Sequence, residues 1–310
     1  MQEALRNRLT YGPIMLVGLG LLLVLDAVIQ NSSADFMLRH FNHAQGLRGV
    51  GILALLVLIC PIATVELTRM FAAEHVRPYP ILAAAGATAL VLHAFMTQFA
   101  WFRPVAASVL MLLVILGMLA AALRRAMDRQ TDDAIVRMAG TVLATLYLGG
   151  LSWFLLALRV KDSSHIRGST MMILMILLVV KFTDIGAYFG GRALGKHKLI
   201  PWLSPGKTWE GLFFGLITAG AVGMICSRFI GNPDPIFNDP TYVLEWWKGA
   251  IFGVVIGAVG QLGDLLESLM KRDAQVKDSG SIIPGFGGVL DVIDSPLLAA
   301  PFAYVLFSLF

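Results

Sequence analysis

The chain has 310 residues, 57% of them hydrophobic and only 14% charged, with a mean hydropathy of +0.76. Soluble domains carry about 25% charged residues, so a water-soluble fold is excluded and a membrane protein is indicated. The net charge of +4 is modest, and the absence of zinc-finger spacing, an arginine-rich arm or a recognition helix excludes nucleic acid as a partner.

Apolar runs of about 20 residues predict an all-α, polytopic integral membrane protein with about nine transmembrane helices. They lie near 11–29, 49–71, 80–98, 105–123, 135–158, 171–190, 212–230, 250–266 and 289–310, the last broken by Pro296 and Pro301. Arg6 and Arg8 precede the first run as in a signal peptide, but the run is too long and lacks a cleavage site, so it reads as a span. With the N-terminus inside, fifteen Lys and Arg fall on cytoplasmic segments and eight on the opposite side. That bias predicts a cytoplasmic N-terminus and cytoplasmic loops at 190–211 and 268–290, in a multi-pass protein of the cell inner membrane. Residues 1–165 read as N-terminal spans and 166–310 as the region with the polar chemistry. The segment 231–247 reads as an outside turn, with Trp246 and Trp247 at the interface, as Trp202 and Trp209 are on the other side. Cys60 and Cys226 fall inside spans and read as inert thiols.

Ionisable groups within spans are costly and become candidates by default. Asp26 lies near an outer end and reads as interfacial, while Glu66 with Arg69 and Lys181 with Asp184, each pair three residues apart, read equally as structural ion pairs or as functional groups. Asp264 is harder to dismiss. In the run GQLGDLLES it shares a helix face with Glu267 or Ser268 and with Lys271, leading out of the membrane into a charged loop.

Before it, Gly190–Gly211 contains Gly206-Lys207-Thr208, but Pro201 stands where a phosphate-binding P-loop needs glycine. Lys207 and Thr208, followed by Glu210, read instead as an anion-contacting turn entering a helix, where Ser204, Thr208 or a backbone N–H could hold phosphate. After it, Ser268–Asp294 packs Lys271, Arg272 and Lys277 with Asp273, Asp278, Asp291 and Asp294, interleaved with Gly280, Gly285, Gly287 and Gly288. Carboxylates suit Mg²⁺ bound together with substrate phosphates, the cations neutralise the remaining charge, and glycine lets backbone come close. The six histidines are scattered and no nucleophile arrangement appears. Phosphoryl or nucleotidyl transfer, which needs mainly positioning and charge neutralisation, is the chemistry indicated.

At these residues the chain resembles the phosphatidate cytidylyltransferase (CDP-diacylglycerol synthase) family. The resemblance rests on Ser268, Lys271, Arg272, Lys277, Asp278, Pro284, Gly287, Gly288, Asp291 and Asp294, with Asp184–Lys198, Ser204–Gly211 and Gly263–Ser268 upstream. It implies transfer of a cytidylyl group from CTP to phosphatidate in the bilayer, with Mg²⁺ as cofactor; a second cation and a homodimer are compatible with it. It implies catalytic roles for Asp264, Lys277, Asp278 and Asp291. Substrate binding falls to Ser204, Lys207, Thr208, Ser268, Lys271, Arg272, Gly287 and Gly288, and metal ligation to Asp264, Asp291 and Asp294. The chain departs from the family pattern at Phe286, where the family has histidine, at Val292, where the family has arginine, and at Gly206, where the family usually has lysine. Alternatives are CTP-dependent activation of another lipid phosphate or alcohol, and a non-catalytic relative or transporter.

Overall fold

Apolar segments in a membrane must satisfy their backbone polar groups locally, and this chain does so as helices. A computed structural model describes residues 2–41, 46–73, 75–161, 170–228 and 244–310. The helices are α1 (Gln2–Phe41), α2 (Val50–Ala73), α3 (Pro80–Met96), α4 (Ala106–Met127), α5 (Ala134–Ala144) and α6 (Leu151–Val160). A π-helical segment, Thr145–Gly150, joins α5 to α6, and Gly149 there lies against Ala87 of α3. Then follow α7 (Thr170–Leu194), a hairpin of β1 (Lys198–Ile200) and β2 (Ser204–Thr208), α8 (Trp209–Ser227), α9 (Trp246–Asp273) and α10 (Leu290–Leu309).

Eight helical stretches among the described residues are long and apolar enough to cross a membrane, and the 17-residue α3 is a ninth, shorter apolar helix. The all-α polytopic reading holds, with three differences. Helix α1 runs 40 residues, well past the expected end. Ser33 there donates to the Ile29 carbonyl at 2.6 Å, so local polarity does not end the helix. Pro296 and Pro301 lie inside a continuous α10 rather than breaking it; membrane helices tolerate proline where neighbouring groups take up the freed carbonyls. The hairpin, with strands of three and five residues, carries no sequence alternation long enough to announce it. Residues 231–243 of the expected outside turn, 231–247, lie outside the described residues. Trp202, Trp209, Trp246 and Trp247 are all exposed, as interface anchors would be, and both cysteines are free.

The chain divides into two compact units, Met1–Val160 with Asp273–Val292, and Lys161–Arg272 with Ile293–Phe310. In the first, the expected interfacial Asp26 is fully buried. Its carboxylate pairs with buried Arg159 at 2.7 Å and accepts the Gly51 N–H at 2.9 Å, at the start of α2. Arg159 also reaches Gln30 at 2.5 Å. The charge is placed inside the helix bundle because it has a cation and a helix N-terminus to meet.

In the second unit, small residues four apart let helices approach. On α8 these are Gly211, Gly215, Ala219 and Gly223; on α9 they are Gly249, Gly253 and Gly257. A Cβ on Gly253 would fall 2.8 Å from the Ala219 carbonyl carbon and 3.1 Å from Gly220 Cα. Packing of this kind drives helix association where lipid removes the hydrophobic incentive. We expect Gly253→Leu to destabilise the unit by about 2–3 kcal/mol through overpacking. Thermal melting of the detergent-solubilised protein checks this, and an unchanged midpoint would refute the close approach.

Candidate functional site

In the second unit, the end of α9 carries Asp264, Glu267 and Lys271 at the spacing that stacks side chains on one face. Gly263 admits α10, because a Cβ there would lie 3.0 Å from Ser295 Cα. That approach brings Asp294 to Asp264 and Glu267, and one oxygen of each carboxylate lies within 4.8 Å of the others. Glu267 and Asp294 are buried and Asp264 is half-buried. Two lysines balance them: Lys207 Nζ lies 2.6 Å from Asp264 and Lys271 Nζ 2.8 Å from Glu267. Three acids this close repel one another, so the site favours bound cations, whether lysine or metal.

Lys207 arrives on β2, which ends at Thr208. The Thr208 hydroxyl accepts the Gly211 N–H at 3.1 Å and so caps α8. This is the turn entering a helix that the residue pattern indicates, held by an antiparallel hairpin with Lys198 paired to Thr208. Gln261 donates to Asp184 at 2.7 Å, and Lys181, the expected partner, acts on Asp184 through its charge although it is exposed on α7. A cavity of about 540 Å³ opens here, lined by Asp184, Tyr188, Arg192, Lys207, Thr208 and Asp264, among others.

In the first unit, the stretch after α9 folds back on itself. Phe286 N–H donates to the Ile283 carbonyl at 3.0 Å, with Pro284 and Gly285 at the corners and Gly285 at φ +83°. A proline followed by a residue of positive φ makes a type II turn, and glycine is the residue that enters that region without strain. Asp291 Oδ2 accepts from Ser279 N at 2.9 Å, Ser279 Oγ at 2.9 Å and Gly288 N at 2.7 Å. Glu66 does not turn to Arg69 as expected. Its carboxylate takes the Val289 and Leu290 N–H groups at 3.1 and 2.9 Å. The Phe286 ring points at α1, 3.6 Å from where a Cβ of Gly12 would stand, so the departure from histidine fills an apolar contact.

The structure therefore brings Asp264 and Asp294 together and adds Glu267, which sequence spacing had placed on the same face without assigning it as a ligand. Asp291, in the first turn of α10, is engaged by Ser279 and Gly288 of the preceding loop. Lys207 and Lys271 stand within the acid cluster, Ser204 opens β2 and Ser268 follows Glu267 on α9. Arg272, Lys277 and Asp278 are exposed, and Gly287 and Gly288 form the turn before α10. Gln261, Tyr188 and Arg192 were not anticipated. Arg192, which donates to the Tyr188 hydroxyl at 3.0 Å, carried the one usable signal: a cation one turn from an aromatic beside a charged loop.

Residues 36–310 match the cytidylyltransferase family. The chain belongs to that family. Among curated relatives, the phosphatidate cytidylyltransferase of Haemophilus influenzae is 46% identical over 131 residues, 42% of this chain and 43% of that protein. The phosphatidate cytidylyltransferase of Bacillus subtilis is 39% identical over 168 residues, 54% of this chain and 57% of that protein. A third, the uncharacterized protein YnbB of Escherichia coli, is 36% identical over 162 residues, 52% of this chain and 49% of that protein. The chain spans about half the length of these family relatives.

Proposed function

We propose that the protein transfers a cytidylyl group from CTP to phosphatidate, giving CDP-diacylglycerol and pyrophosphate. The observation that carries this reading is the cluster of Asp264, Glu267 and Asp294 interleaved with Lys207 and Lys271, beside a cavity of about 540 Å³. Membership of the cytidylyltransferase family and relatives named phosphatidate cytidylyltransferase support it.

A phosphatidate phosphate oxygen attacks the α-phosphorus of CTP. The new P–O bond forms as the bond from that phosphorus to the α–β bridging oxygen breaks, and pyrophosphate leaves with the electron pair. Lys207 and Lys271, already held at the acids, neutralise phosphate charge in the substrates and the leaving group. Thr208 fixes Lys207 by capping α8, and Gln261 orients Asp184 at the cavity wall. The oxygens of Asp264, Glu267 and Asp294 make a hard, compact donor set that fits Mg²⁺. Bound there, the ion would supply charge stabilisation on phosphate oxygens. The Lys and Arg bias of the loops supports a cytoplasmic N-terminus, with loops 190–211 and 268–290 on the CTP side.

The purified protein, given labelled CTP, phosphatidate and Mg²⁺ in lipid or detergent, should form CDP-diacylglycerol and pyrophosphate. EDTA should stop the reaction and added Mg²⁺ restore it. No product across varied lipids and detergents would overturn the reading. Transfer to a polyprenyl phosphate in place of phosphatidate would move the chemistry to another lipid.

A further inference from the structure

Glu66 is an acid in the interior of α2, within the run ATVELTRMF, and only 2% of it is exposed. A carboxylate in a membrane span is costly unless strong donors meet it. Here the donors come from more than 200 positions away. Val289 N–H reaches Oε1 at 3.1 Å and Leu290 N–H reaches Oε2 at 2.9 Å, at the first turn of α10. Such N–H groups lack acceptors within their own helix and carry the positive end of its dipole, so an anion suits them.

The fit extends beyond hydrogen bonds. A Cβ on Gly280 would lie 2.5 Å from Glu66 Oε1, and one on Gly288 would lie 2.7 Å from Oε2. Two glycines of the charged stretch are therefore places where the chain folds around this carboxylate. Ser279 lies between Gly280 and the exposed Lys277 and Asp278; its N–H goes to Asp291, and its hydroxyl lies 2.9 Å from Asp291 Oδ2 and 3.4 Å from Glu66 Oε2. One backbone segment is thus shaped by two carboxylates: Asp291 from the first turn of α10 and Glu66 from α2.

We infer that Glu66 is a positioning residue for the reaction: it moulds Ser279–Leu290 and thereby sets the path of Lys277 and Asp278 and the orientation of Asp291. This rests on the reading above, that the segment serves cytidylyl transfer. Glu66→Gln keeps the shape of the side chain but turns an amide N–H₂ toward a backbone N–H. Turnover should fall about 100-fold, the scale expected when reacting groups are displaced by roughly 1 Å.

The decisive measurement is hydrogen exchange on the full-length protein in detergent. In Glu66→Gln the peptide spanning 279–291 should exchange faster, while peptides from α2 and α3 exchange as in the wild type. Wild-type exchange at 279–291, or unchanged turnover, would overturn the inference. So would loss of protection throughout α2 and α3, which would make Glu66 a bundle-stability residue only. Should Glu66→Gln fail to fold, Gly280→Ala tests the same contact from the loop side. Faster exchange at 279–291 is then expected, and wild-type exchange overturns the inference. If the wild-type protein does not convert CTP and phosphatidate, the functional reading fails, and the exchange data still decide whether Glu66 positions the segment.

Discussion

Asp264→Asn lowers the rate of the proposed cytidylyl transfer by about a thousandfold, on the scale of losing one preorganised electrostatic contact to a transition state. Asp264 stands at the centre of the polar cluster: Lys207 lies 2.6 Å away, and an oxygen of Asp264 falls within 4.8 Å of the Glu267 and Asp294 carboxylates. It also lines the cavity. Asparagine keeps the shape, removes one negative charge from the donor set and releases Lys207 from its ion pair. Stability should change little, because the Asp264 side chain is 39% exposed and solvent screens such a pair. The check is a labelled-CTP assay on variant and wild type, with melting curves recorded on the same preparations. Turnover within about tenfold of the wild type, in folded protein, would remove Asp264 from the reacting centre. Lys207→Met should weaken the same site from the cation side.

Arg159→Met should have the largest effect on stability, about 3–5 kcal/mol, because it leaves Asp26 charged and buried without its partner. Both side chains are at most 1% exposed, so water does not compensate. Asp26 also receives the Gly51 N–H at the start of α2, which ties α1 to two other helices through one carboxylate. The double variant Asp26→Leu/Arg159→Met should recover part of the loss, since removing both charges removes their desolvation cost as well. It should not recover all of it, because Gly51 still loses its acceptor. Thermal unfolding in detergent measures both variants. A single variant that melts with the wild type would show that the pair contributes little, and a double variant worse than the single would refute the desolvation argument.

The two residues of that pair illustrate what the sequence leaves open. Asp26 and Arg159 are separated by 133 positions, and each sits near the end of an apolar run, where an interfacial position is the simpler reading. Glu66 and Arg69 had the spacing of a helical pair, yet Glu66 meets the amides of Val289 and Leu290. In both cases a local pattern competes with a distant partner that satisfies a buried charge better. The site shows the reverse for α9, where Asp264, Glu267 and Lys271 lie on one helix and their shared face follows from 3.6 residues per turn.

By itself the sequence determines that this is a helical membrane protein with about nine apolar helices, two charged loops and a cytidylyltransferase signature. Hydropathy, helical periodicity and motif spacing are properties of neighbouring residues, and they need no knowledge of how helices pack. Only the tertiary structure decides that Glu267 joins Asp264 and Asp294, that Lys207 is held by a hairpin and a helix cap, and that Glu66 shapes the turn before α10. Those outcomes depend on how closely backbones approach at glycines such as Gly263, Gly280 and Gly288, and on which buried donor meets which buried charge. Such matches form between segments far apart in the chain, and spacing along the sequence carries no record of them.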